Sequence, residues 1–373
     1  MSIFVTVAVS VLVFGFLIFI HEFGHYITAR IFKVTIEEFS IGMGPRIITW
    51  VSKKTNIRYS ISLLPIGGFV AMPGENGEYN GTDDALSEVA EEEDPYINDP
   101  NTFGKKPAWQ RFIITAAGAT VNIVAGFLAM ILLTSMIKIG DTTVSKYHTK
   151  ESLFEAYGTE IEVLSSESGI MVNDKIVSIG GKRVNIVDEL SYEIMRRGNE
   201  PVDVLVVRNG EELLLRDVVF PTQSDGGQVF GIMDFKVAPV DKNFFSVIKY
   251  SWCKSVLIIR MCWESIYDLI VGRYTFAAVS GPVGISSAIG NAATQGFTSL
   301  LYITVLISIN LGVMNLLPIP ALDGGRLLTV LIEMITRKKL PPKVEGWING
   351  VGLVLLLGLS LIIMIKDIIQ LII

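Results

Sequence analysis

Cysteine, charge and histidine are all scarce in this chain, and each scarcity narrows what it can be. Two cysteines, Cys253 and Cys262, stand nine apart in 373 residues and form no Cys-x-x-Cys pair, so there is no disulfide framework. Charged residues make up only 18%, against 50% hydrophobic residues and a mean hydropathy of +0.50, a balance that fits a membrane protein of two or three domains. No basic stripe or aromatic platform is present, so no nucleic-acid partner is expected. Even the net charge of −6 is local: residues 74–100 hold ten acids and neither Lys nor Arg, leaving the remainder net positive. Histidine occurs only three times, and two of the three are His21 and His25.

Four stretches, roughly 3–30, 112–137, 299–319 and 348–365, are long and apolar enough to span a bilayer as helices. The first does not read as a cleaved leader, because no Lys or Arg precedes it and its distal half carries the histidines. Arg30, Lys33 and Arg46 follow the first span, Lys105, Lys106 and Arg111 precede the second, and Arg326, Arg337, Lys338, Lys339 and Lys343 separate the last two. Positive charge of this kind marks the cytoplasmic side. The N-terminus, the long 138–298 segment and the C-terminus are then expected outside.

His21-Glu22-Phe23-Gly24-His25 lies inside the first apolar stretch. On a helix, His21 and His25 are one turn apart on one face and can reach one metal ion, and Glu22 can take a proton from an attacking water. Ionisable residues are costly at membrane depth, which makes such a cluster functional by default. A chance occurrence of the pattern in a soluble helix is the alternative, but such a helix would not be apolar on every side.

Between the first two spans, residues 34–50 and 57–72 suggest strands interrupted by Gly42, Gly44 and Pro45, and by Pro65, Gly67 and Gly68. They form either a plain surface hairpin or an apolar edge on which a substrate could pair. The acidic run after them reads as a solvated, poorly ordered loop. Residues 150–237 read as a soluble module: strands flank Gly180-Gly181, Val187 to Arg197 has helical spacing, and Asn209-Gly210 marks a hairpin. This order resembles a PDZ domain, a fold that adds an extended peptide to a sheet edge, although Asn173 stands where that family more often has Gly. Residues 244–271 are too charged to cross a membrane; with Trp252 and Trp263 they suit a helix along the interface, or one packed on the module.

The second chemical signal runs from Asn310 through Asn315, Pro318 and Pro320 to Asp323-Gly324-Gly325. Two histidines leave a catalytic zinc site one ligand short, and a carboxylate at matching depth would complete it. Proline breaks the helix here, and broken backbone at membrane depth is tolerated where it is buried in protein or lines a cavity. The alternative is that Asp323 caps the following helix.

With both motifs in hand, the chain resembles the site-2 protease family of intramembrane zinc metalloproteases, of the bacterial RseP type. The carriers are His21 to His25, Pro65-Ile66-Gly67-Gly68-Phe69-Val70, Gly281 to Ile285, and Asn310 to Gly324. Ala117-Gly118-Ala119 departs from the family's Ala-Gly-Pro, with Asn122 retained, and one PDZ-like module stands where some relatives carry two. The resemblance implies that His21, His25 and Asp323 hold one Zn²⁺, that Glu22 is the general base, and that Asn310 and Asn315 help hold an unwound substrate backbone. Hydrogen bonding between helices is the other reading of the two asparagines. It also implies that the substrates are membrane-spanning proteins, anti-sigma factors or remnant signal peptides.

The expected architecture is a polytopic α-helical membrane protein. Its four transmembrane helices are accompanied by a membrane-associated β-hairpin and an inserted extracytoplasmic PDZ-like α+β domain. The segments are 1–137 (two spans, the first motif and the β-rich and acidic loops), 150–237 (the PDZ-like domain), 244–298 (an amphipathic interfacial region) and 299–373 (two spans and the second motif). The location implied is a bacterial inner membrane, crossed several times, with the metal site toward the cytoplasm. A catalytically silent scaffold, or a zinc peptidase acting on soluble or lipidated chains, are the rival readings. Intact Glu22 disfavours the first, and the PDZ-like module with Leu322-Asp323-Gly324 disfavours the second.

Overall fold

In the computed structural model, the described residues are 3–75, 96, 98–158, 161–225, 228–273 and 279–372. The chain opens with α1 (Ile3–Ile31), β1 (Glu38–Val51), β2 (Arg58–Ala71) and α2 (Ala108–Met136). It continues through β3 (Gly140–Tyr147), α3 (Lys150–Tyr157), β4 (Lys175–Ile179), β5 (Lys182–Arg183) and α4 (Val187–Arg197). Next come β6 (Val202–Arg208), β7 (Glu211–Val218), β8 (Thr222–Asp225), β9 (Gln228–Gly231) and β10 (Phe235–Pro239). The helices α5 (Phe244–Ile270), α6 (Pro282–Gln295), α7 (Phe297–Leu316), α8 (Asp323–Thr336) and α9 (Pro342–Ile372) complete it. Two compact units result, Met1–Ala129 with Ile259–Ile373, and Met130–Ile258.

Four helices of the described residues are long and apolar enough to cross a membrane: Ile3–Ile31, Ala108–Met136, Phe297–Leu316 and Lys343–Gln370. This fits a polytopic membrane protein. Large apolar side chains such as Phe4, Leu12, Leu128, Val354 and Leu355 stand exposed on them, as helices surrounded by lipid require. The third helix ends three residues short of the expected 319. Leu317 precedes Pro318, whose ring disfavours helical backbone in the residue before it, and Leu317 is extended at φ −66°, ψ 142°. The fourth begins earlier than expected because Pro342 starts a helix well and Lys343 and Glu345 simply extend it beyond the apolar window.

In the first unit β1 and β2 do not form a plain hairpin. Residues 46–51 pair antiparallel with 58–62, while 38–41 pair parallel with 58–61 and antiparallel with 68–71. The chain reverses within β1 at Gly42 and Gly44 and within β2 at Gly67, all at positive φ, so residues 68–71 become an outer segment. Glu38, buried inside this sheet, accepts two hydrogen bonds from Arg46 (2.9 and 2.8 Å) and one from Ser60.

Helix α6 lies within the region expected to be interfacial, yet it packs on α1. Ser10 Oγ donates to the carbonyl of Ser286 at 3.4 Å, and a Cβ on Gly290 would lie 2.6 Å from Thr6 Cγ2. Asp367 of α9 accepts from the amides of Gly281 (2.8 Å) and Gly284 (2.9 Å), which satisfies the open N-terminus of α6 and accounts for the Gly-Pro-Val-Gly motif.

The second unit is built on a sheet in the order β10-β3-β4-β6-β7, with β5 on β4, and a separate β8-β9 pair. Ile176, Ile179, Leu190, Ile194, Val204 and Val206 fill its core. Strand β3 precedes the expected start at 150; it is polar in sequence, and its inward residues Thr142 and Val144 are buried. Asn209 and Gly210 turn β6 into β7 with positive φ at both positions. Buried Asp174 pairs with Arg208 at 2.7 Å, and Arg208 also donates to the carbonyl of Gly169. The segment expected to be interfacial forms the long helix α5, with Trp252 and Trp263 exposed.

Candidate metal centre

His21 and His25 sit one turn apart on α1, both buried, with ring centroids 4.9 Å apart. Their site exists because α1 and α2 approach closely. A Cβ on Gly24 would lie 2.6 Å from the carbonyl oxygen of Ala117, and a Cβ on Gly118 would lie 2.3 Å from His25 Nε2. Glycine at both positions leaves room for the imidazole. His25 Nδ1 is 2.9 Å from the carbonyl oxygen of Ile114. A carbonyl can only accept, so Nδ1 carries a proton, and in the neutral ring it is Nε2 that presents the lone pair. His21 Nδ1 faces the carboxamide of Asn122 at 3.3 Å.

Asp323 arrives from the other end of the sequence. After α7 the chain passes through Pro318 and Pro320, then Ala321 with φ 68°, a strained value for a residue with a side chain. The turn is tight enough that a Cβ on Gly324 would overlap the carbonyl of Leu317, and one on Gly325 would lie 2.6 Å from the oxygen of Ile319. Asp323 is the first residue of α8, Leu322 holds the cap position, and no side-chain capping bond is made there. The carboxylate turns instead to the histidines, with Oδ2 at 3.0 Å from His21 Nε2 and 3.3 Å from His25 Nε2.

The two Nε2 atoms are 3.3 Å apart, and Asp323 Oδ2 is buried without a well-directed hydrogen bond. Among the described residues this is the one group of three candidate ligands, all donor atoms lying within 4.8 Å of one another. Ligands about 2.0–2.1 Å from one tetrahedral ion lie roughly 3.3 Å apart, so the spacing and the two-nitrogen, one-oxygen donor set fit Zn²⁺. Burial alone would push the Asp323 carboxyl up, but the imidazoles beside it outweigh burial and hold it below the usual carboxylate range. That direction favours the ionised form, which a ligand carboxylate must adopt.

A cavity of about 1320 Å³ opens on this group. Glu22 lines it, as do residues 68–72 of the outer β2 segment and its continuation, the broken backbone at 321–323, and α9 around Trp347. Gly68 lies against the candidate base: a Cβ there would meet Glu22 Cγ at 2.8 Å. Arg326 also lines the cavity and pairs with Glu75. Asn310 and Asn315 on α7 are half-buried and are not among the lining residues. Most of the acidic 74–100 run, from 76 to 95, lies outside the described residues. Sequence reading missed Gly118 and Asn122 as neighbours of the histidines, and Arg326 as a wall of the cavity. The run Ala117-Gly118-Ala119-x-x-Asn122 inside an apolar span was the available signal.

The model of peptidase family M50 matches residues 9–359. A protein of Fusobacterium nucleatum named "Putative zinc metalloprotease FN1322" is 34% identical over 97% of this chain and 98% of its own length. The zinc metalloprotease RasP of Geobacillus kaustophilus is 30% identical, with 96% of each chain covered. The regulator of sigma-W protease RasP of Bacillus subtilis is 26% identical over 97% of this chain and 98% of its own. With a family match over almost its whole length, the chain belongs to peptidase family M50 and is a membrane zinc metalloprotease.

Proposed function

We propose that the protein is an intramembrane endopeptidase of the site-2 protease type, with His21, His25 and Asp323 as zinc ligands and Glu22 as general base. The observation that carries this is the convergence of three donor atoms from two distant apolar segments at a cavity that Glu22 also lines. Zn²⁺ bound there supplies a Lewis acid that polarises the scissile carbonyl and acidifies water. Glu22 takes a proton from the attacking water as its oxygen bonds to the carbonyl carbon. It then delivers that proton to the departing amine nitrogen as the C–N bond breaks. Among the described residues the outer segment at 68–71 pairs on one side, with 38–41, and it lines the cavity, which supports it as a place for an extended substrate backbone to pair. A transmembrane helix of a substrate must unwind before it can pair in this way, and Asn310 and Asn315 are proposed to help hold the unwound backbone.

The proposed substrates are membrane-spanning proteins, with an anti-sigma factor suggested by the name of the Bacillus subtilis relative and remnant signal peptides as a second class. The distribution of Lys and Arg supports a metal site toward the cytoplasmic face of a bacterial inner membrane, and a 138–298 segment outside it. The antiparallel sheet with α4 in the second unit supports a PDZ-like role for residues 150–237, in substrate selection. Glu22→Gln keeps the shape of the base and removes its proton affinity. Zinc content should stay at wild-type level while cleavage of a model membrane substrate by purified protein is lost. Full cleavage by the variant would remove Glu22 from the mechanism.

A further inference from the structure

We infer that Asn122 is the positioning residue of the metal centre: its carboxamide oxygen accepts a hydrogen bond from His21 Nδ1 and thereby turns the His21 Nε2 lone pair toward the ion. This rests on the ligand set proposed above, and begins from a difference between the two histidines. His25 has a partner that admits one tautomer, since the carbonyl oxygen of Ile114 can only accept from Nδ1. His21 has Asn122, an amide with one end that donates and one that accepts.

Asn122 is fully buried on α2, one turn beyond Gly118, with Nδ2 3.3 Å from His21 Nδ1 and Oδ1 buried without a partner. An amide nitrogen donating to Nδ1 would put the imidazole proton on Nε2. That proton would then point among His25 Nε2 and Asp323 Oδ2, at 3.3 and 3.0 Å, where a cation is to bind. A half-turn of the carboxamide exchanges two ends of nearly the same shape. Oδ1 then gains the donor it lacks, Nδ1 holds the proton, and all three donor atoms of the site face inward as lone pairs. An acceptor that holds the outer N–H of a ligating imidazole fixes ring orientation and raises ligand basicity in metal sites. The neighbourhood is also rigid: Ser308 Oγ of α7 donates to the backbone carbonyl of Asn122 at 2.8 Å, which ties this turn of α2 in place.

The test compares two substitutions at one buried position. Asn122→Leu keeps the branching and the number of heavy atoms, with somewhat more bulk, and removes the acceptor, whereas Asn122→Asp keeps the shape and an acceptor and adds charge. If Asn122 only fills space, Leu should be tolerated and a buried carboxylate should disrupt. If it orients His21, the order reverses. Zinc affinity of purified, folded protein is measured by competition with a chelator, and the visible spectrum of the Co²⁺-substituted protein reports ligand geometry. Asn122→Leu should bind zinc about 10–100-fold more weakly with an altered Co²⁺ spectrum, and Asn122→Asp should bind at least as tightly as wild type. Wild-type affinity in Asn122→Leu, or weaker binding by Asn122→Asp than by Asn122→Leu, overturns the role. His21→Ala run in parallel separates the two ideas. If His21→Ala retains wild-type affinity, the ligand set itself is wrong. If it loses zinc while Asn122→Leu does not, only the role of Asn122 falls.

Discussion

Asp323 is where backbone strain and chemistry meet. Proline at 318 and 320, the positive φ of Ala321 and the overlap that any Cβ on Gly324 would cause together hold a turn that delivers one carboxylate to two imidazoles. Strain of this sort persists only where the surrounding structure over-determines it. If Asp323 served chiefly as an acid in the first turn of α8, replacing it would cost roughly 0.3–1 kcal/mol of helix stability and leave the metal alone. As a ligand, its loss leaves two imidazoles, too few for a catalytic zinc site. Asp323→Ala should therefore lower zinc occupancy as well as cleavage, by metal analysis of the purified variant. Wild-type zinc affinity in that protein would assign the third ligand elsewhere. The third histidine, His148, takes no part; it lies in the other unit, with Nδ1 2.9 Å from Ser152 Oγ.

The folded-back β1–β2 sheet is the element that shapes one wall of the cavity, and Glu38 is its electrostatic centre. Burial would raise the pKa of this carboxyl, but hydrogen bonds from Arg46 and Ser60, with the charges of Arg46 and Arg58, outweigh burial and leave it lowered. A lowered carboxyl stabilises the folded sheet fully above its unfolded pKa, and that contribution fades as pH falls through the lowered value. Amide protection factors over 38–41 and 58–71, with the intrinsic pH dependence of exchange divided out, should accordingly fall on acidification in that window, and Glu38→Gln should flatten the dependence. Equal pH dependence in the two proteins would show that Glu38 does not anchor the sheet. How far such elements could be read in advance depended on the range of the interactions that define them. The spans and the Asn209-Gly210 hairpin were legible because hydropathy and turn chemistry are local. The doubling of 38–41 between two parts of β2 was not, since strand partners are chosen by packing rather than spacing. The two histidines declared themselves as a pair, and Asp323 by its surroundings of Pro and Gly. Gly118 and Asn122 mattered only once α2 lay against α1.

At the scale of the whole molecule, the candidate chemistry belongs to one unit and the larger sheet to the other. Among the described residues the second unit contributes none to the proposed zinc site, and the role proposed for it is selection of substrate. Its ends favour a clean test: β3 and β10 pair antiparallel, with Gly140 opposite Pro239, so a short linker can replace 140–239 where removal of 150–237 would strand β3. A milder lesion is Gly169→Asp. Gly169 has φ 94° and its carbonyl accepts from Arg208, which also holds buried Asp174; space for a Cβ exists, so the cost is backbone strain at the turn. Both variants should keep wild-type zinc content. If the module excludes substrates by size, as a domain outside the membrane could, the defect runs in one direction. A substrate with a large intact external domain becomes cleavable, and its shortened form is cut as before. Cleavage of long and short versions of one substrate, measured in wild type and both variants, separates the cases. Loss of cleavage for both versions in folded, zinc-loaded variants would mean that the module recruits substrate, with peptide added to its sheet edge, and does not exclude it.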